Sequence, residues 1–167
     1  MIDSTEDLVA DDEGREAQPY QDEEGIWSVG IGHNLEANGV PPGVLADHPS
    51  GLPWPACLEA LQARGGLAEH EIDLLFSHDL TVAATDLQVC LTTASLLDPA
   101  RYAAMIDMAF NLGRDRLSLF DTFLNLMASS QYQAAAADLL KTKVAQELHH
   151  RYTRLASIIN TGAWPLS

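Results

Sequence analysis

A chain of 167 residues with 47% hydrophobic and 20% charged residues suits one compact domain, or one domain of two lobes, and excludes global disorder. Its net charge of −15 is lopsided: residues 1–100 carry 19 Asp and Glu against two Arg, whereas residues 101–167 carry five acids against seven bases. Such acidity excludes sequence-independent binding to nucleic acid or to an anionic membrane surface, and no run reaches the roughly 18 apolar residues of a membrane-inserted helix.

Residues 2–13 alternate acids with Ile2, Leu8, Val9 and Ala10, a short acidic helix with Ser4 or Thr5 near its cap and Glu6 and Asp7 in its first turn. Between 18 and 32 the period changes to two: Trp27, Val29 and Ile31 alternate with Ser28 and Gly30. That pattern predicts a strand, with DEEG at 22–25 as a hairpin turn and Ser28 facing away from Trp27 and Val29. Residues 39–56 hold five prolines and three glycines and read as an irregular loop in which Trp54 is either a loop anchor or a surface for stacking on a ligand.

The stretch CLEALQAR forms a short helix ending at Gly65-Gly66. From Ala68 the spacing of Ile72, Leu75, Phe76, Leu80, Ala83 and Leu87 predicts one helix of about six turns. Four further helical segments follow: RYAAMIDMAFNLG, SLFDTFLNLMAS, YQAAAADLLKTK and HRYTRLASIINTG, two of them closed by Gly113 and Gly162. The expected fold is α+β and mainly helical. A small lobe (14–68) with a β-hairpin is joined by a long helix (69–90) to a helical lobe (91–167), on which helix 2–13 packs. Cys57 and Cys90 are too few for a disulfide framework; two reduced thiols are expected, with a single bridge left open.

Glu13, Asp22 and Ser28 carry the chemistry. A helix end, a hairpin turn and the following strand can bring an acid, a second carboxylate and a hydroxyl around one groove. Glycoside hydrolysis needs such a set: a protonated acid for the leaving oxygen, an ionised carboxylate, and a group to orient water. The two carboxyls must sit in different environments. Repulsion from Asp11, Asp12 and Glu16 is expected to favour the protonated form of Glu13, but spacing alone favours a solvated acidic face. The pairs His149-His150 and His70/His78 lack further ligands at useful spacing, so no metal and no cofactor are expected.

The words around these residues are more specific. DEG, PY, D and SVGIGH in this order resemble the active-site segment of the phage-type lysozyme family, in which Glu, eight residues, Asp, five residues and Thr precede a Gly-Ile-Gly-His strand. The resemblance continues through LLFSHDL, MAFNLG and RYTRLASIINTGAWP, covering nearly the whole chain. It implies a lysozyme-like fold and an endolysin-like muramidase that hydrolyses the β-1,4 bond between N-acetylmuramic acid and N-acetylglucosamine in bacterial peptidoglycan, with inversion. On this resemblance Glu13 is the general acid, Asp22 positions water, and Ser28 stands for the threonine that holds it. Asn111 lines the cleft, Arg151 pairs with the catalytic glutamate across the lobes, Gly32 belongs to the Gly-Ile-Gly-His segment, and His33 and Asp79 form a structural pair.

The chain departs from the family in three ways. Serine replaces threonine at 28, Thr142-Lys143-Val144 stands where the family has Ser-x-Trp, and the charge is strongly acidic. Two other readings stay open: a lytic transglycosylase, and a catalytically weak wall-binding or virion structural protein. The N-terminus has neither the basic nor the apolar region of a signal peptide. A monomer is therefore expected to accumulate in the host cytoplasm and reach the wall through a holin, or to travel in a virion.

Overall fold

The computed structural model describes residues 2–22 and 25–165. It has two compact units: Glu13–Thr81, and Met1–Asp12 together with Val82–Ser167. Among the described residues it is mainly helical with one small antiparallel sheet, the α+β class expected.

In the 13–81 unit, β1 (Glu16–Gln21), β2 (Trp27–Gly30) and β3 (His33–Asn34) pair in the order β1-β2-β3. The register sets Tyr20 opposite Ser28, and Ser28 opposite Asn34. Between Glu16 and Tyr20 the register slips; Pro19 lies there, lacking an N–H for the ladder on an edge strand. Of the expected 22–25 turn, Glu23 and Glu24 lie outside the described residues. Around them Asp22 accepts from Gly25 N–H through its carbonyl (3.0 Å) and from Ile26 N–H through Oδ1 (2.9 Å), an Asx-type closure.

The Gly-Ile-Gly-His segment is not one strand. β2 stops at Gly30, and Ile31-Gly32 form a tight turn into β3. Gly30 and Gly32 take φ of +69° and +65°, a left-handed conformation that reverses the chain and that side chains disfavour. A short helix absent from the expectation follows, α2 (Leu35–Asn38), capped by Asn34 Oδ1 accepting from Ala37 N–H. At four residues it is too short to show a period. The proline-rich loop is tied by an isolated bridge between Val40 and Leu52. Then α3 (Ala56–Arg64) ends on left-handed Gly65.

The long helix is α4 (Glu69–Cys90), 22 residues. Its early turns present Ile72 and Leu75 to the backbone at Gly30, so this part belongs to the 13–81 unit. Glu71, 2% exposed, anchors the start of α4. Its carboxylate takes Arg64 Nη2 at 2.9 Å on both oxygens and caps Ala68 N–H at 2.8 Å.

The other unit contains α1 (Thr5–Glu13) through Asp12, α5 (Pro99–Leu117), α6 (Asp121–Ala128), α7 (Tyr132–Leu139), α8 (Lys143–Glu147) and α9 (His149–Thr161). Ser4 caps α1, its Oγ accepting from Asp7 N–H at 3.0 Å. Gly113, expected to close a helix, interrupts α5 at φ 69° before a further turn. The segment YQAAAADLLKTK divides at Leu140, and α8 begins after it, capped by Thr142. Around α9, Met105, Phe123, Tyr152, Leu155 and Ile159 form the core. Arg101 closes the C-terminus of α9 by donating to the carbonyls of Ile159 (2.7 Å) and Asn160 (3.1 Å), its guanidinium stacked 3.9 Å from the Tyr132 ring. Cys57 and Cys90 are both free thiols.

His33 ties β3 to α4. Its Nδ1 lies 2.7 Å from Asp79 Oδ2 and its Nε2 lies 2.6 Å from the carbonyl of Gly39, so both ring nitrogens face acceptors and the imidazolium form suits the site. Burial disfavours that charge, but Asp79 and the Gly39 carbonyl outweigh it and raise the His33 pKa above its ordinary value. The stability this contributes is full below about pH 6.5 and is lost as pH rises through the raised value. His33→Asn should therefore cost about 3–5 kcal/mol in denaturant unfolding at pH 6, with the gap to wild type narrowing as pH rises. A gap independent of pH would contradict the assignment.

Candidate functional site

Glu13 is the last residue of α1 and is half-buried. Its carboxyl lies over Gly32: a side chain there would put its Cβ 2.6 Å from Glu13 Oε2. Gly32 is thus favoured by its positive φ, and its lack of a side chain leaves the space the carboxyl fills. Asp22 follows β1 and is exposed, with one oxygen engaged by Ile26 N–H. Ser28, 5% exposed, sits inside β2. Because directly paired residues of an antiparallel sheet share a face, Ser28 lies on the face of Tyr20 and Asn34.

Tyr20 gathers these residues. Burial raises the pKa of its phenol, and the carboxylates of Glu13, Asp22 and Glu16 add to the rise. One half-buried phenol therefore lies within electrostatic reach of both candidate catalytic carboxyls while standing opposite the candidate hydroxyl. Sequence reasoning passed over Tyr20, although strand alternation and its place two residues before Asp22 could have signalled it.

His33 and Asp79 complete this unit behind the sheet. Trp54, in the proline-rich loop, is half-buried.

Asn111 and Arg151 belong to the other unit. Asn111 Oδ1 accepts from the Tyr152 hydroxyl at 3.0 Å. Arg151 donates through Nε to Asp107 Oδ1 at 2.8 Å, with Asp12 Oδ2 3.7 Å away. Arg154, three residues on, meets Asp11 and Asp12, both at 2.5 Å. Two neighbours expected to repel Glu13 are thus paired with guanidinium groups instead. Neither Asp107 nor Arg154 was anticipated; a lone acid inside the apolar run YAAMIDMAF was the available signal, since a buried carboxylate needs a partner.

Together the 13–81 unit offers a carboxyl on a helix end, a second carboxylate in water and a hydroxyl between paired strands. This set can perform acid–base chemistry on an ether-type oxygen and a water molecule.

Residues 10–154 match the model of the phage lysozyme family. The chain is 25% identical to Probable T4-type lysozyme 1 of Dictyostelium discoideum, over 97% of this chain and 96% of the relative. It is 26% identical to Probable T4-type lysozyme 2 of the same organism, again over 97% and 96%. It is also 26% identical to the pre-baseplate central spike protein Gp5 of Enterobacteria phage T4, over 95% of this chain but only 28% of that protein.

Gly32→Ala tests the packing of Glu13. The left-handed backbone should cost about 1–2 kcal/mol of stability, and the new methyl should displace the Glu13 carboxyl, visible as a shift of its NMR signal. An unmoved Glu13 signal would show that the close approach is not a constraint.

Proposed function

Because the chain belongs to the phage lysozyme family, and so is a lysozyme-type glycosidase with peptidoglycan as its substrate, we propose that it hydrolyses the β-1,4 bond between N-acetylmuramic acid and N-acetylglucosamine. Glu13 protonates the glycosidic oxygen as the bond to the anomeric carbon breaks. A water molecule, oriented by the Ser28 hydroxyl and relieved of its proton by Asp22, attacks the opposite face of the ring, and the configuration inverts. One proton leaves Glu13 and one reaches Asp22; exchange with solvent restores both.

The observation that supports this reading is Tyr20, which stands opposite Ser28 and whose phenol pKa is raised by burial and by the charges of Glu13 and Asp22. The environments suit the roles: Glu13 is half-buried against Gly32, whereas Asp22 is open to the water it must direct. His33 and Asp79 hold the sheet to α4 behind them. The resemblance assigns supporting roles to Asn111 and Arg151.

A lytic transglycosylase would use the sugar's own hydroxyl and leave Asp22 and Ser28 without a task. The biological setting is lysis of a bacterial host from its cytoplasm with holin-dependent access to the wall. Carriage in a virion is the second reading, supported by the match to part of a phage spike protein.

Glu13→Gln should lower dye release from purified peptidoglycan by at least about 100-fold while leaving the unfolding midpoint unchanged or raised. Ser28→Ala should lower kcat, and Ser28→Thr should preserve it. Mass spectrometry of the fragments should find hydrated reducing ends; anhydro ends would replace hydrolysis with transglycosylation, and undiminished activity of Glu13→Gln would end the assignment.

A further inference from the structure

Among the described residues, a cluster of three carboxyls and two guanidinium groups gathers at the end of α1, and two of the carboxyls are buried in it. From α1 come Asp11 and Asp12, from α5 Asp107, and from α9 Arg151 and Arg154. Asp11 is half-exposed, but the side chains of Asp12, Asp107, Arg151 and Arg154 are 9%, 0%, 10% and 14% exposed. The four buried groups balance in charge, but Asp12 and Asp107 bring two carboxylates together where water hardly reaches, which is costly.

The hydrogen bonds show where a neutralising proton fits. Arg151 Nε donates to Asp107 Oδ1 at 2.8 Å, and Arg151 Nη2 reaches the Asp107 carbonyl at 3.4 Å. Among the described residues, Asp107 Oδ2 and Asp12 Oδ2 are both buried and meet no donor. The two carboxyls converge on one atom, Arg151 Nε, 2.8 Å from Asp107 Oδ1 and 3.7 Å from Asp12 Oδ2. Two facing acceptors without a donor are satisfied together by one hydrogen. We propose that Asp12 and Asp107 share a single proton, that this dyad clamps the end of α1 to α5, and that Asp107 is thereby a positioning residue for Glu13, the next residue after Asp12.

Burial pushes the Asp107 carboxyl up, Arg151 opposes the rise and Asp12 adds to it, leaving it at about 7. The group is unfolded at about 3.9, so the folded state holds the extra proton between these values. Its contribution to stability is therefore full below about pH 4, falls as pH rises to about 7, and stays lost above. Above neutrality two carboxylates repel each other across the joint and loosen the helix end. His149 and His150 share a surface groove with Asp11 and Arg154, but both are exposed and neither bonds to Asp12 or Asp107.

The positioning role rests on the reading of Glu13 as the general acid; the proton sharing does not. Asp107→Asn separates them, because its amide keeps the shape, donates to Asp12 Oδ2 and still accepts from Arg151. Carbon-detected NMR of the aspartate carboxyls in the full chain should show one signal titrating near neutrality in wild type and none in Asp107→Asn. Stability of wild type relative to the variant should decline from about pH 4 to 7 and then level. In peptidoglycan hydrolysis, the alkaline fall of kcat should move upward by about one pH unit in the variant, with KM little changed. Wild-type aspartates that all titrate in the ordinary range near pH 4 would overturn the shared proton. A shared proton with identical kcat profiles would overturn the positioning role. Full activity in Glu13→Gln would overturn the catalytic reading while leaving the carboxyl titration as it is.

Discussion

The end of α1 constrains the rest of the structure. Asp11, Asp12 and Glu13 stand in its last turn with no base among them, where the helix macrodipole is negative and acids are disfavoured. Left alone, that turn would fray. Arg151 and Arg154 prevent it by binding Asp12 and Asp11. Three residues apart on α9, they present guanidinium groups from one helix face. Within the 13–81 unit, Glu13 rests over Gly32, where a methyl group would have to displace its carboxyl.

The chemistry of the 13–81 unit starts from its own turns. The glycines at 30 and 32 end β2 early and turn the chain, which delivers His33 to Asp79 and leaves the space that Glu13 fills. The slip of register around Pro19 sets Tyr20, rather than a neighbour, opposite Ser28. Replacing threonine by serine at 28 keeps a hydroxyl on that face but removes the branch that would limit its rotamers. Ser28 is buried, so packing takes over part of the restraint.

The acidity of the chain has two origins with different consequences. Some carboxylates are structural: Glu71 caps α4 and binds Arg64, while Glu69 and Asp73 hold Arg15. Others lie exposed and give up the attraction to an anionic wall that a basic surface would bring. The altered edge at 142–144 also has a structural role. Thr142 accepts from Ala145 N–H to cap α8, Val144 is buried, and Lys143 pairs with Glu147 on the outside.

The hydrophobic period of 3.6 in residues 68–90 and the two-residue alternation around Trp27 were enough to place the long helix and the hairpin strand, because both depend on local geometry and one buried face. Glu13, Asp22 and Ser28 were singled out by the words around them rather than by their spacing, and the resemblance also implied the pairing of His33 with Asp79. Short elements were not: α2 and α8 span too few turns to show a period, and the break of the strand at Gly30 depends on a φ that composition only permits. Asp107 and Tyr20 were invisible for a different reason. The character of each comes from groups distant in sequence, Arg151 and Asp12 for one, Glu13 and Ser28 for the other, and only folding brings those charges and that register together.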